Sequence, residues 1–221
     1  MYFVEQIKFN FMKAHYYLFL FVLISVMVSC SKVESGGSIS GSQSQMGTVG
    51  TTFSSSGVTG LSNCQASVTS LSGNVSSISG SATVTNAKYL QLLQTNPGTF
   101  TINGSTVSIT GVQVKNLSDG VEKVSGTKNQ GVIVNYSSAL GATYPIGNSG
   151  KVRTVSLVNT TDSYQWNGML IKTIEVTEPV NQYGVKNIVY VANHKWGIVA
   201  IVVTFDDNST LKIPVTSSKS N

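Results

Sequence analysis

Three observations predict a mainly β chain, folded as an antiparallel sandwich or open barrel. Beyond residue 100, apolar side chains recur at every second position, as in "FTINGSTVSI", "GVIVNYSS" and "VKNIVYVAN". That is the period of a strand with one face on a core. Turn-tolerant residues separate these runs: Asn103 with Gly104, Gly141, 147–150, Asp162 with Ser163, Asn167 with Gly168, and 206–209. The third observation is "GIVAIVVTF" (197–205), apolar almost throughout, as expected of a strand covered on both faces. The following "TLKIPV" carries Pro214, which belongs on an edge or terminal strand because proline has no amide to donate.

Bulk properties agree with one sizeable core. The chain has 221 residues, 41% hydrophobic and only 10% charged, which excludes the disordered class for most of its length. Its 14 Lys+Arg against 9 Asp+Glu include no basic run. Nucleic-acid binding needs clustered cations to neutralise a row of phosphates, so no nucleic-acid partner is expected.

Taken from the N-terminus, residues 1–29 read as an export signal. "YYLFLFVLISVMV" (16–28) follows Lys13 and precedes Ser29 and Cys30. A spanning helix needs about 20 apolar residues, whereas a signal core needs roughly 7 to 15. The stretch from Met12 has a more usual length and charge pattern for such a peptide than the one from Met1, so Met12 is a second candidate start.

Met27, Val28, Ser29 and Cys30 resemble the lipobox of bacterial lipoproteins, with methionine where leucine is more usual. The resemblance implies cleavage before Cys30, acylation of that cysteine and retention at a membrane. Acyl chains contribute about 0.8 kcal/mol per buried methylene, ample to hold a soluble domain at a bilayer. Ser31, where no aspartate stands, favours the outer membrane in some members of that class.

Residues 30–60 are then a lipidated, flexible tether. About half of this stretch is Ser or Gly, and such a coil reaches roughly 30 Å. In 61–85, Leu61, Cys64, Val68, Leu71, Val75, Ile78 and Ala82 alternate at spacings of three and four, the seam of a coiled coil. The intervening residues are Ser, Thr, Asn and Gly, which together cost on the order of 10 kcal/mol of helix propensity. Two readings follow: an oligomerising helical stalk through 61–82, or an extended lead-in or edge strand. A β-rich domain over 86–216 opens with one short helix in "NAKYLQLLQTNPG", capped by Asn86 and stopped by Pro97 and Gly98. Residues 217–221 form a tail.

Residues suited to chemistry are sparse. Beyond the signal the one histidine is His194, which removes zinc sites built on two or three histidines, and Cys64 has no partner thiol if Cys30 is acylated. No Gly-x-Ser-x-Gly elbow, spaced calcium loop or phosphate-binding glycine motif occurs. Asp206 and Asp207 read as a hairpin loop. No catalytic residue, metal or cofactor is therefore assigned. Tyr164, Trp166, His194 and Trp196 fall near predicted strand ends, where aromatic rings either form a ligand-facing rim for a glycan or protein, or plug the end of the core. These readings predict a non-enzymatic, lipid-anchored envelope protein that binds a partner or serves a structural role. The alternatives are an oligomeric stalked surface protein and, disfavoured, a hydrolase of envelope polymers.

Overall fold

The computed structural model describes residues 37–87, 89–90, 101–124, 130–182 and 184–219. It is mainly β, with every strand pairing antiparallel. The larger sheet contains β1 (Thr51–Ser55), β2 (Leu61–Ser72), β3 (Val75–Val84), β4 (Thr101–Asn103), β5 (Thr106–Leu117), β6 (Gly120–Lys123), β7 (Gly131–Asn135) and β16 (Thr216–Lys219). It runs in the order β16-β1-β2-β3-β5-β6-β7, with β4 also on β5, and curls into a half-barrel. The second sheet contains β8 (Thr143–Pro145), β9 (Val152–Val158), β12 (Ile174–Gln182), β13 (Val185–Asn193), β14 (Gly197–Phe205) and β15 (Thr210–Pro214), ordered β15-β14-β13-β12-β9-β8. A separate hairpin pairs β10 (Tyr164–Trp166) with β11 (Met169–Ile171).

Inward-facing residues of both sheets meet in one cluster that includes Val84, Val107, Val134, Val155, Val176, Ile188, Val203 and Ile213. As its nearly continuous apolar run predicts, β14 is interior and mostly buried, and Pro214 lies on terminal β15, as its missing amide predicts. The two sheets share one line of chain: β15 continues through Val215 into β16, so a single run of residues leaves the second sheet and pairs with β1 in the first.

The three-and-four spacing of 61–85 is not a helical seam. It is a hairpin of interior strands, β2 lying between β1 and β3, and β3 between β2 and β5. The spacing arises from bulges. Register slips between Ser62 and Gln65, where Asn63 takes φ +52°, and again between Val68 and Ser70. Each extra residue shifts the alternation by one. Leu61, Cys64 and Val68 therefore all face the core although three and four residues separate them. Gly73, at φ +57°, opens the two-residue turn between the strands, a position that demands positive φ. The stalk reading fails for the reason its energetics suggest, since Ser and Thr are poor helix formers, and the strands are interior rather than edge.

From Ser38 to Gly60 the chain is likewise not a flexible tether. From Ser38 onward the chain is folded as a strap around the β5–β6 turn. Ile39, Met46 and Val58 are buried, and Gln43 bridges to Leu117. Serines supply the bonds. Ser38 Oγ donates to Glu122 Oε2 at 2.7 Å and accepts from Lys115 Nζ at 2.7 Å, Ser40 Oγ donates to Asp119 Oδ2 at 2.8 Å, and Ser118 N donates to Ser42 O at 2.8 Å. A Ser/Gly composition signals a coil only when nothing satisfies its polar groups. At the other terminus, the expected tail from 217 is largely β16, paired with β1 from Thr216 to Lys219.

Two local expectations also shift. The hairpin turn placed at Asn103 and Gly104 falls at Gly104 and Ser105, because Asn103 pairs with Thr106 and Gly104, at φ +60°, occupies the first turn position. The helix after Asn86 lies mostly outside the described residues. Within them, Asn86 Oδ1 accepts from Tyr89 N at 3.4 Å and Asn86 O from Leu90 N at 3.0 Å, the geometry of a helix start.

The bulged-strand geometry separates residues that a helical seam would treat alike. Val68 is 2% exposed and Leu71 is 36% exposed. Val68→Ala should cost about 2 kcal/mol in urea unfolding, and Leu71→Ala less than about 0.5 kcal/mol.

Candidate functional site

The aromatic candidates do converge. The β10–β11 hairpin turns on Asn167 and Gly168, whose φ values of +44° and +79° fit a tight primed turn. It lays Trp166 and Ile171 on Val191, Val199 and Ala200 of β13 and β14, with Tyr164 and Trp196 packed against them. Asn193 shapes the β13–β14 turn. Its Oδ1 accepts from Lys195 N at 2.8 Å and Trp196 N at 3.2 Å, and its Nδ2 donates to Lys172 O at 2.7 Å. The turn brings Trp196 to 5.0 Å from Trp166, centroid to centroid, with rings inclined at 37°.

Little of this cluster is free for a ligand. Trp166 is buried and its Nε1 donates to Val215 O at 2.7 Å, at the bend where the chain changes sheets. Lys195 Nζ sits 4.8 Å from the Trp196 centroid and Lys212 Nζ 4.7 Å from that of Tyr164, each a cation–π contact. Trp196 and Tyr164 remain half-buried, and His194 is exposed on the turn. Glu175, which the sequence reading passed over, has its carboxyl pushed up by burial, an effect that the Lys212 ammonium opposes. The arrangement offers aromatic edges flanked by ammonium groups. Trp166→Ala should lower stability by about 3 to 5 kcal/mol, and Trp196→Ala by clearly less, read by thermal unfolding.

A second polar constellation lies inside the sandwich. Arg153 on β9 is 0% exposed, Lys123 on β6 1% and Glu178 on β12 2%. Arg153 Nε donates to Glu178 Oε2 at 2.7 Å, and its Nη1 crosses to Val132 O of the larger sheet at 2.9 Å. Tyr190 OH donates to the same Glu178 oxygen at 3.1 Å. Burial, with the nearby Arg153 guanidinium, brings the Lys123 amine down to about 6, although the Glu178 carboxylate pulls the other way. Burial and Glu178 push the Tyr190 phenol up. Perturbed groups of this kind often mark catalytic sites, but these are enclosed by both sheets, and the geometry is that of an internal tie. The sequence carried a signal for it: Lys123, Arg153 and Glu178 each stand two residues from a buried valine (Val121, Val155, Val176), hence on the inward phase of their strands.

A shallow cleft opens on the inner side of β1, β2, β3 and β5. It encloses about 470 Å³ including its open mouth, and its walls include Phe53, Leu61, Cys64, Ala82, Val107 and Ile213. Cys64 is a free, buried thiol whose Sγ donates to Ser62 O at 3.7 Å, and burial pushes its pKa up, so it is a poor nucleophile. Ser55 Oγ is buried without a partner among the described residues. Among those residues, no group of three His, Cys, Asp or Glu could hold a metal ion.

The buried lysine imposes a pH dependence. The folded chain keeps Lys123 neutral above about pH 6, whereas the unfolded chain holds its proton up to the ordinary 10.5. Between those values the unfolded state binds the extra proton. Stability should therefore rise with pH across the window and level off for this group below about 6. In Lys123→Met that component should vanish, giving a flatter profile of unfolding free energy between pH 6 and 9 than in the wild type.

No known protein family, characterised protein or solved structure matches this chain.

Proposed function

We propose that this chain is a lipid-anchored protein of the bacterial envelope, held at the outer membrane by acyl chains on Cys30. Its β domain acts there as a non-enzymatic binding or structural module. The observation that carries the reading is the junction at Cys30: an apolar run of signal length ends in Met27, Val28, Ser29 and Cys30, after which the apolar character stops. The fold is compatible with an anchor at that point, because among the described residues the contacts of Ser38 and Ile39 with Glu122 lie only eight and nine residues after Cys30. Support for binding over catalysis comes from the use of the ionisable side chains. Arg153, Glu178 and Lys123 are spent inside the sandwich, and Lys195 and Lys212 lie on aromatic rings.

The partner reading centres on the half-buried edges of Tyr164 and Trp196 with the exposed His194 beside them. A glycan that stacks on a ring would have to displace a lysine ammonium. A protein or envelope polymer that meets the edges and the ammonium groups together would not.

Mass spectrometry of the N-terminal peptide from protein produced in a bacterial host tests the anchor. The expected product begins at Cys30 and carries a diacylglyceryl thioether. Thiol titration should then find no reactive group in the folded protein and one, Cys64, in denaturant. An unmodified Cys30 overturns the reading.

A further inference from the structure

The strap and the strand registers define two ends of the sandwich, and we infer that the end carrying the strap is the surface that meets an anionic lipid bilayer, while the opposite end faces away from it. This rests on Cys30 as the anchor and adds an orientation to it.

The near end gathers the β2–β3 turn at Gly73 and Asn74, the β5–β6 turn at Ser118 and Asp119, and the β13–β14 turn. Ser76 pairs with Val114 at the close of β5, and a Cβ on Gly197 would lie 3.2 Å from Asn116 Nδ2, which ties the two sheets together at this end. The far end gathers the 57–60 loop, the start of the helix at Asn86 and the β14–β15 turn at 206–209. There Thr85 N donates to Gly60 O at 2.9 Å, and the Tyr89 and Phe205 rings lie 6.2 Å apart.

Chain length decides between the ends. Ser38 is bonded beside Lys115 and Glu122, close to the near end. From Cys30 to Ser38 the chain spans at most about 28 Å when fully extended. From Lys115 back along β5 to Thr106 is about 26 Å at the rise of a strand, once the bulged residue between Ile109 and Val112 is discounted, and the turn and loops beyond Thr106 add to it. With the far end on the lipid, the link from Cys30 would have to be stretched to its full length. With the near end on the lipid, no stretching is required.

Side chains at the near end suit that surface. Its exposed charges are Lys172, Lys195 and Lys219 against Asp162, whereas the far-end turn carries exposed Asp206 and Asp207 beside a single exposed lysine, Lys186, whose Nζ donates to Asn208 Oδ1 at 3.3 Å. Juxtamembrane lysines favour anionic lipid. Apolar side chains are exposed here too, Val49 at 54% and Leu71 at 36%, and half-buried Trp196 sits among them as aromatic residues do at membrane interfaces.

The test uses the full-length, acylated protein in phosphatidylglycerol–phosphatidylethanolamine vesicles containing a lipid with a nitroxide on its headgroup. Two variants, Asn74→Cys and Asp207→Cys, place a fluorophore on exposed turns at the near and far ends, and the buried Cys64 is spared. Fluorescence at position 74 should be quenched at least threefold more than at position 207. Equal quenching, stronger quenching at 207, or protection of position 74 by self-association seen on cross-linking overturns the orientation. A labelled or unmodified Cys30 in the wild type instead sinks the anchor itself, so the two failures are distinguishable.

Discussion

The ion network across the middle of the sandwich is the constraint around which the rest is arranged. Two unlike sheets must hold one register, and hydrophobic contact, being non-directional, does not choose it. Arg153 does, because a guanidinium removed from water must have its donors met. It reaches Glu178 on the neighbouring strand and Val132 O on the facing sheet, so sliding one sheet against the other would strand a buried cation. Such networks add little net stability, since desolvation offsets most of the attraction, but breaking them is costly. Lys123 beside them is held neutral by the same dry surroundings.

Around that tie, a chain rich in serine and threonine builds strands by two devices. Bulges in β2, β5 and β9 re-aim the alternation so that widely spaced apolar residues share one face. Hydroxyls satisfy what would otherwise be unpaired backbone, as where fully buried Ser76 donates to Gly47 O at 2.5 Å. The same economy explains the strap, in which Ile39 and Met46 supply the buried apolar surface and four serines fix the path.

The aromatic cluster shows how a recognition-like composition serves packing. Trp166 closes the outer layer over β13 and β14 and bonds the carbonyl of Val215 at the strand bend. What it leaves outward is a half-buried tyrosine and tryptophan, each under a lysine. A partner would read this surface through edges and charge rather than through open ring faces.

Composition and local pattern alone determined the β class, the antiparallel turns, the covered β14 strand and the edge position of Pro214, because period-two alternation, turn geometry and the missing proline amide act within a few residues. The convergence of Trp166 with Trp196 was legible only as proximity to strand ends. Tertiary structure decided that the strap from Ser38 and the strand from Thr216 belong to the fold, that 61–84 is a bulged hairpin, that the rings pack inward and that Lys123, Arg153 and Glu178 meet. Each of those outcomes depends on which groups another strand supplies. A serine bonded across 79 residues, as Ser40 is to Asp119, looks in sequence like a serine in a linker, and a charge in the core phase becomes tolerable only when its counter-charge arrives from elsewhere in the chain.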